Sequence, residues 1–164
     1  MRLLMIRHAA AVPGGTPGIA DDDRPLTERG RARFERAARG LVRVVDRPDV
    51  LLTSPLPRAR ATAEIAARAF GQLAAAVEPA LAQGTVGGIV AALARQPAEA
   101  MVAIVGHEPT LGALLARLLE GPRGERFAFK KGGAALVDLP SGPGAPGRLV
   151  WFLKPRILRS LVGE

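Results

Sequence analysis

The chain has 164 residues, 48% hydrophobic and 23% charged, a globular balance that predicts one domain spanning residues 1–164 around a buried core. It contains no cysteine and only two histidines, which excludes disulfides and thiolate catalysis and leaves few ligands for a zinc or iron centre, so no metal or other cofactor is expected. The net charge of +8 is almost entirely arginine, and with aromatic residues at 4% those arginines lack the interleaved stacking side chains of a nucleic-acid surface; a positive surface instead suits steering of an anionic substrate or an acidic partner protein.

Arg2 to Ile6 is a short, mostly apolar run that reads as a buried strand, ending at Arg7-His8-Ala9. Met1 to Ile6 lacks the ordered parts of a signal peptide, and no apolar run is long enough to span a bilayer, so a cytoplasmic protein without membrane contact is expected. Ala10 to Arg24, rich in Gly and Pro, is a loop longer than a simple connection needs, the kind that forms a rim or lid beside a site. Its run Asp21, Asp22, Asp23 offers a general acid; the favoured reading is a solvated acidic stretch before a helix N-terminus. Thr27 is a good N-cap, and Phe34, Ala38, Leu41 and Val45 follow on one helical face, with arginines covering most of the rest.

Val50 to Thr53 predicts a second strand, and Ser54-Pro55-Leu56-Pro57 turns into a helix with Ala59, Ala63, Ala66 and Phe70 on one face. Arg58 and Arg60 fall in the first turn of that helix, where a cation opposes the helix dipole unless an anion sits beside it. Ala75 to Val77 is a weak strand, and Thr85 is placed as the cap of a helix through Ala94. Ala100 to Val105 is a strong buried strand ending in Gly106-His107-Glu108-Pro109-Thr110. The stripe of Leu111, Leu114, Leu115, Leu118 and Leu119 follows, stopped by Gly121 and Pro122. After a basic loop from Arg123 to Gly133, Ala134 to Leu139 and Arg148 to Leu153 predict a hairpin at one sheet edge. Lys154-Pro155 breaks the last strand, and Ile157, Leu158, Leu161 and Val162 form a tail packed on the body.

Alternating strands and helices predict an α/β fold, a three-layer α/β/α sandwich with a mostly parallel sheet and an antiparallel edge hairpin. Such folds build sites beyond the carboxyl ends of their strands, which is where Arg7, His8, Arg58 and His107 fall. Four groups of like or potential positive charge on one rim repel unless an anion joins them. Guanidinium forks and imidazoles suit a phosphoryl group.

The chain resembles the histidine phosphatase superfamily, and within it the small SixA-type phosphohistidine phosphatases. The matching residues are Leu4-Met5-Ile6-Arg7-His8, Arg24-Pro25-Leu26-Thr27 with Gly30, Ser54-Pro55 with Arg58-Ala59 and Thr62, Val105-Gly106-His107-Glu108-Pro109 with Leu111, and Trp151-Phe152-Leu153 with Pro155. The resemblance implies that His8 is the nucleophile that carries the phosphoryl group, with Arg7, Arg58 and His107 around its oxygens. Neutral His8 and protonated His107 serve this chemistry best, so their neighbours are expected to separate the two titrations.

The chain departs from the family pattern at Ala9, where Gly is frequent, and at Leu81-Ala82-Gln83-Gly84, where larger relatives carry a glutamate as general acid. Glu78, Glu108 or one of Asp21 to Asp23 are substitutes; Glu108, beside His107, is the best placed as proton donor, unless it simply begins the next helix. A missing acid favours a good leaving group, and imidazole leaves with less help than an alkoxide. The expected activity is cofactor-free hydrolysis of protein phosphohistidine by a monomer acting on a phosphohistidine-bearing partner. The alternatives are a phosphatase for small phosphomonoesters and a non-catalytic phosphate-binding module.

Overall fold

Six strands join in one sheet of order β3-β2-β4-β1-β5-β6 in a computed structural model that describes residues 1–82, 84–120 and 127–163. The strands are β1 (Arg2–Arg7), β2 (Val50–Thr53), β3 (Ala75–Val77), β4 (Met101–Gly106), β5 (Ala134–Asp138) and β6 (Arg148–Leu153). β3, β2, β4 and β1 run parallel, while β5 pairs antiparallel with β1 and β6 antiparallel with β5. This is the mostly parallel sheet with an antiparallel edge that the alternating pattern predicts.

Side chains alternate across each central strand, so β1 and β4 each feed two cores. Leu4 and Ile6 with Ala103 and Val105 face α1 (Glu28–Leu41), α2 (Pro57–Ala69) and the short α5 (Pro155–Ser160). Leu3 and Met5 with Val102 and Ile104 face α3 (Val86–Ala94) and α4 (Thr110–Leu118). Three layers result. Thr27 caps α1 by accepting the Gly30 N–H at 2.9 Å, as its position predicts. Thr85 occupies the N-cap position of α3 without making that hydrogen bond.

One sequence expectation needs correction, and the tail that packs on the body as expected gains a definite shape. The acidic run does not lie at the start of α1: Asp21–Asp23 coil into a 3₁₀ turn that folds back onto α2. Backbone pairing of Val12 with Pro25 and of Ala10 with Thr27 closes the base of this long loop and makes the return possible. The C-terminal tail is a helix, α5, because Pro155 at its start loses no hydrogen bond there. Only Leu158 of the predicted apolar tail residues is fully buried; Ile157 and Leu161 face solvent. The proposed helix stop at Gly121-Pro122 and the first part of the basic loop lie outside the described residues. Among the described residues no helix is long and apolar enough to cross a membrane.

Candidate active site

Three parallel strands end side by side at the site. β1 delivers Arg7 and His8, β4 delivers His107, and the turn after β2 delivers Ser54 and then Arg58 in the first turn of α2. The His8 backbone N–H donates to the Gly106 carbonyl at 3.0 Å, and the Ser54 N–H donates to the Val105 carbonyl at 3.0 Å. The parallel ladder is thus extended one residue past each strand, which fixes the two histidines across adjacent strands. Their ring centroids are 5.1 Å apart with planes inclined at 50°. The sequence expectation that Arg7, His8, Arg58 and His107 share one rim matches this placement.

His8 is 5% exposed, and its Nδ1 lies 2.7 Å from the Ala9 carbonyl. A carbonyl only accepts, so Nδ1 carries the proton and Nε2 keeps a lone pair. Burial pushes the His8 pKa down to about 3, and the charges of His107, Arg58 and Arg7 act in the same direction, against the bond to Ala9. His107 Nε2 meets the Ser54 hydroxyl at 2.7 Å. Its pKa is held at about 4, first by burial and then by Arg58, Arg7 and Arg24, with Asp22 opposing. Both titrations move the same way, so the protein alone does not separate them as expected.

Arg7 donates from Nη1 to the Phe129 carbonyl at 2.6 Å, while Arg58, 6% exposed, donates from Nη1 to the Asp21 carbonyl at 2.8 Å. The Asp21 carboxylate lies 3.8 Å from Arg58 Nη2 and 2.9 Å from Arg24 Nε. The anion that Arg58 requires at a helix start is therefore partly supplied by the chain. Arg60, in the same turn, is exposed and lies outside this cluster. Arg7 Nε, Arg58 Nε and His107 Nδ1 are buried and have no hydrogen-bond partner among the described residues. Buried polar atoms without partners are rare, and three nitrogens in one cluster suit the oxygens of a tetrahedral anion.

Of the carboxylates considered as proton donors, Asp21, Glu78 and Glu108 are engaged by protein groups, whereas the Asp22 and Asp23 side chains are exposed and make no hydrogen bond or ion pair among the described residues. Glu108 Oε1 accepts the Phe129 N–H at 2.9 Å, and burial raises its pKa against that bond and the Arg7 charge. Glu78 accepts from the Ala80 N–H at 3.1 Å and pairs with Arg95 at 2.9 Å. Two residues that the sequence marks only as part of the family pattern, Thr62 and Ser54, gain a bracing role from their contacts. Thr62 Oγ1 donates to the Arg58 carbonyl at 2.7 Å and accepts the Ala9 N–H at 3.0 Å, which ties the His8 loop to α2. Ser54 is fully buried and links the Leu56 N–H to His107. Among the described residues no cluster of three or more His, Cys, Asp or Glu side chains could hold a metal ion.

Comparison with known proteins agrees with this geometry. Residues 3–89 match the family model of the histidine phosphatase superfamily, branch 1. An uncharacterized protein of Picosynechococcus sp. is 35% identical over 145 residues, 87% of this chain and 86% of that protein. A solved protein histidine phosphatase SixA in complex with tungstate is 29% identical, with a TM-score of 0.82 over 96% of this chain and 99% of its own. The SixA structure from Agrobacterium tumefaciens is 30% identical, with a TM-score of 0.76 over 94% and 97%. A mycobacterial glucosyl-3-phosphoglycerate phosphatase, at 21% identity and a TM-score of 0.73 over 94% and 98%, shares the fold. With the family model covering more than half of its length and the cyanobacterial relative 87%, the chain belongs to branch 1 of the histidine phosphatase superfamily, and within it to the SixA type.

Proposed function

We propose that the protein hydrolyses phosphohistidine on a partner protein through a phosphoryl group carried by His8. The observation that carries this reading is the fixed neutral tautomer of His8, with Nδ1 held by Ala9 and Nε2 available beside three buried, unpartnered nitrogens, two of them guanidinium donors. Nε2 attacks phosphorus while the bond from phosphorus to the substrate ring nitrogen breaks; the electron pair stays on that nitrogen, and because the other ring nitrogen of the substrate carries a proton, a neutral imidazole leaves. Arg7, Arg58 and His107 meet the charge on the three equatorial oxygens. Water then attacks phosphorus, the phosphorus–Nε2 bond breaks, and inorganic phosphate leaves with His8 neutral again. The tungstate held by the SixA relative is an oxyanion of the kind this site is built to take.

The engagement of Asp21, Glu78 and Glu108 by protein groups supports a substrate whose leaving group needs little protonation, which imidazole is. One observation favours the second reading, a small phosphomonoester: the raised pKa of Glu108 moves in the direction that a proton donor requires. Incubation with a ³²P-phosphohistidine peptide tests the main reading. The native protein should release phosphate and, when quenched in alkali, retain an alkali-stable, acid-labile label that His8→Ala lacks. Equal phosphate release by His8→Ala removes His8 as nucleophile, and efficient turnover of alkyl phosphates alone favours the second reading.

A further inference from the structure

A cavity of about 170 Å³ lies between α1, the start of α5 and the Lys131–Gly132 turn, with Ala9 and Ala10 in its wall. Arg33, Lys131, Arg156 and Arg159 line it, and no acidic residue does. Four arginines elsewhere in the described residues find carboxylates, Arg2 with Asp138, Arg24 and Arg58 with Asp21, and Arg95 with Glu78, while unpaired arginines such as Arg43 and Arg117 stand apart at exposed positions. None of the four cavity cations forms such a pair with a described carboxylate. Arg159 has its pKa lowered, by burial first and then by the charges of Arg33 and Arg36. Concentrating like charge around a concave surface costs energy that a bound anion recovers.

The cavity's place in the fold says what that anion serves. Ala9 and Ala10 directly follow His8, so a group held against their backbone is on the order of 10 Å from the reacting ring, about three residues of extended peptide. The aromatic residue in the lining, Phe34, is 2% exposed and offers no face on which a nucleic-acid base can stack. Carboxylates on a flexible or extended segment fit the cations without needing such a face.

We infer that this basic cleft docks an acidic segment of the phosphorylated partner, seating carboxylates against Arg33, Arg156 and Arg159 while the phosphohistidine reaches His8. The inference rests on the phosphohistidine reading for what reaches His8, but the anion-binding cleft stands on its own residues. It makes the protein selective among phosphohistidine proteins by their flanking charge, using a surface that the reacting phosphoryl group never touches.

The test uses two synthetic phosphohistidine peptides, one with a four-glutamate block three residues from the phosphohistidine and one with glutamine in its place. The native protein should prefer the acidic peptide about tenfold in kcat/KM, the effect of two or three partly exposed ion pairs. In the double variant Arg33→Glu with Arg156→Glu the preference should fall to near one. The double variant Arg43→Glu with Arg117→Glu, of equal net charge but with both changes outside the cleft, should keep it. Both changes are at exposed positions in each variant, and circular dichroism verifies that each remains folded. A preference near one in the native protein, or one lost equally in both variants, overturns the inference. If neither peptide is hydrolysed, the phosphohistidine reading fails, and the cleft is judged by fluorescence anisotropy with the glutamate block alone. Binding that is lost only in Arg33→Glu with Arg156→Glu supports the docking site; no binding to the native protein, or tighter binding of an oligothymidylate, overturns it.

Discussion

Ser54 shows how much of the site depends on one hydroxyl. Its Oγ accepts the Leu56 N–H at 3.2 Å and meets His107 Nε2 at 2.7 Å, so Ser54→Ala leaves two polar groups without their partner. Stability should fall by about 1–3 kcal/mol in urea unfolding, and kcat should drop about tenfold or more as His107 loses its orientation. The two histidines make a second prediction. Both titrate well below the usual imidazole value, His8 at about 3 and His107 at about 4, because burial disfavours their charged forms. A bound dianion raises the His107 pKa, so binding takes up a proton wherever the pH lies between the free-protein value of about 4 and that of the complex, and affinity falls as pH rises through that interval and levels off above it. Calorimetric titration with tungstate between pH 6 and 9 should show weakening by up to about tenfold per pH unit, with proton uptake visible in buffers of different ionisation enthalpy. A dissociation constant independent of pH contradicts a charged His107.

At the scale of elements, the site depends on how helices are held against the strand ends. Glu108, just before α4, accepts the Phe129 N–H, and the Phe129 carbonyl accepts from Arg7, so Phe129 acts as one unit that links the turn into α4, the approach to β5 and the guanidinium. If Glu108 positions Arg7 through that unit, Glu108→Gln keeps an acceptor and retains most activity, whereas Glu108→Ala raises KM for small phosphorylated substrates. If it donates a proton, Gln and Ala lose kcat alike, so the ratio of the two variants separates the roles. α5 is held by another close contact. A Cβ built at Gly40 of α1 overlaps the Leu158 carbonyl, so only glycine lets the two helices approach this closely. Gly40→Ala should therefore destabilise the protein by about 1–3 kcal/mol and shift α5, which urea unfolding and amide exchange in 155–160 will register.

For the whole molecule, the buried histidines couple the site to folding. Both have folded-state pKa values below the unfolded value of 6.5, so the unfolded chain binds more protons in the interval between them. Their contribution to stability is complete above pH 6.5 and is lost as the pH falls through the interval from 6.5 towards 4 and then 3. The urea midpoint should decline over that interval, and His8→Ala should decline less steeply; equal slopes would show that His8 is not the group responsible. The same arrangement buries His8 and Arg58 and half-buries Arg7 and His107 at the end of the sheet, where two parallel pairings bring the strand ends together.

Much of this was legible in one dimension. Apolar runs such as Leu3 to Ile6 and Val102 to Val105 are too short for helices and too continuous for exposed strands, so they predict covered strands and a layered α/β fold, and the ends of those runs mark Arg7, His8 and His107. Periodic alanines and leucines likewise predict α2 and α4, because helical spacing is a local property of the chain. Partnerships are different in kind. That Asp21 returns to Arg58, that Ser54 and Thr62 brace the segments after β4 and β1, and that the last segment coils onto Gly40 follow from distances between residues tens of positions apart. The separation of the two imidazole titrations was expected from their neighbours, yet burial moves both downward together, since desolvation depends on the whole packed environment. The amino-acid sequence by itself determined the layers, the sheet edge and the four groups on it. Only the tertiary structure decided which nitrogens remain for an anion, because every other donor's partner is chosen by packing.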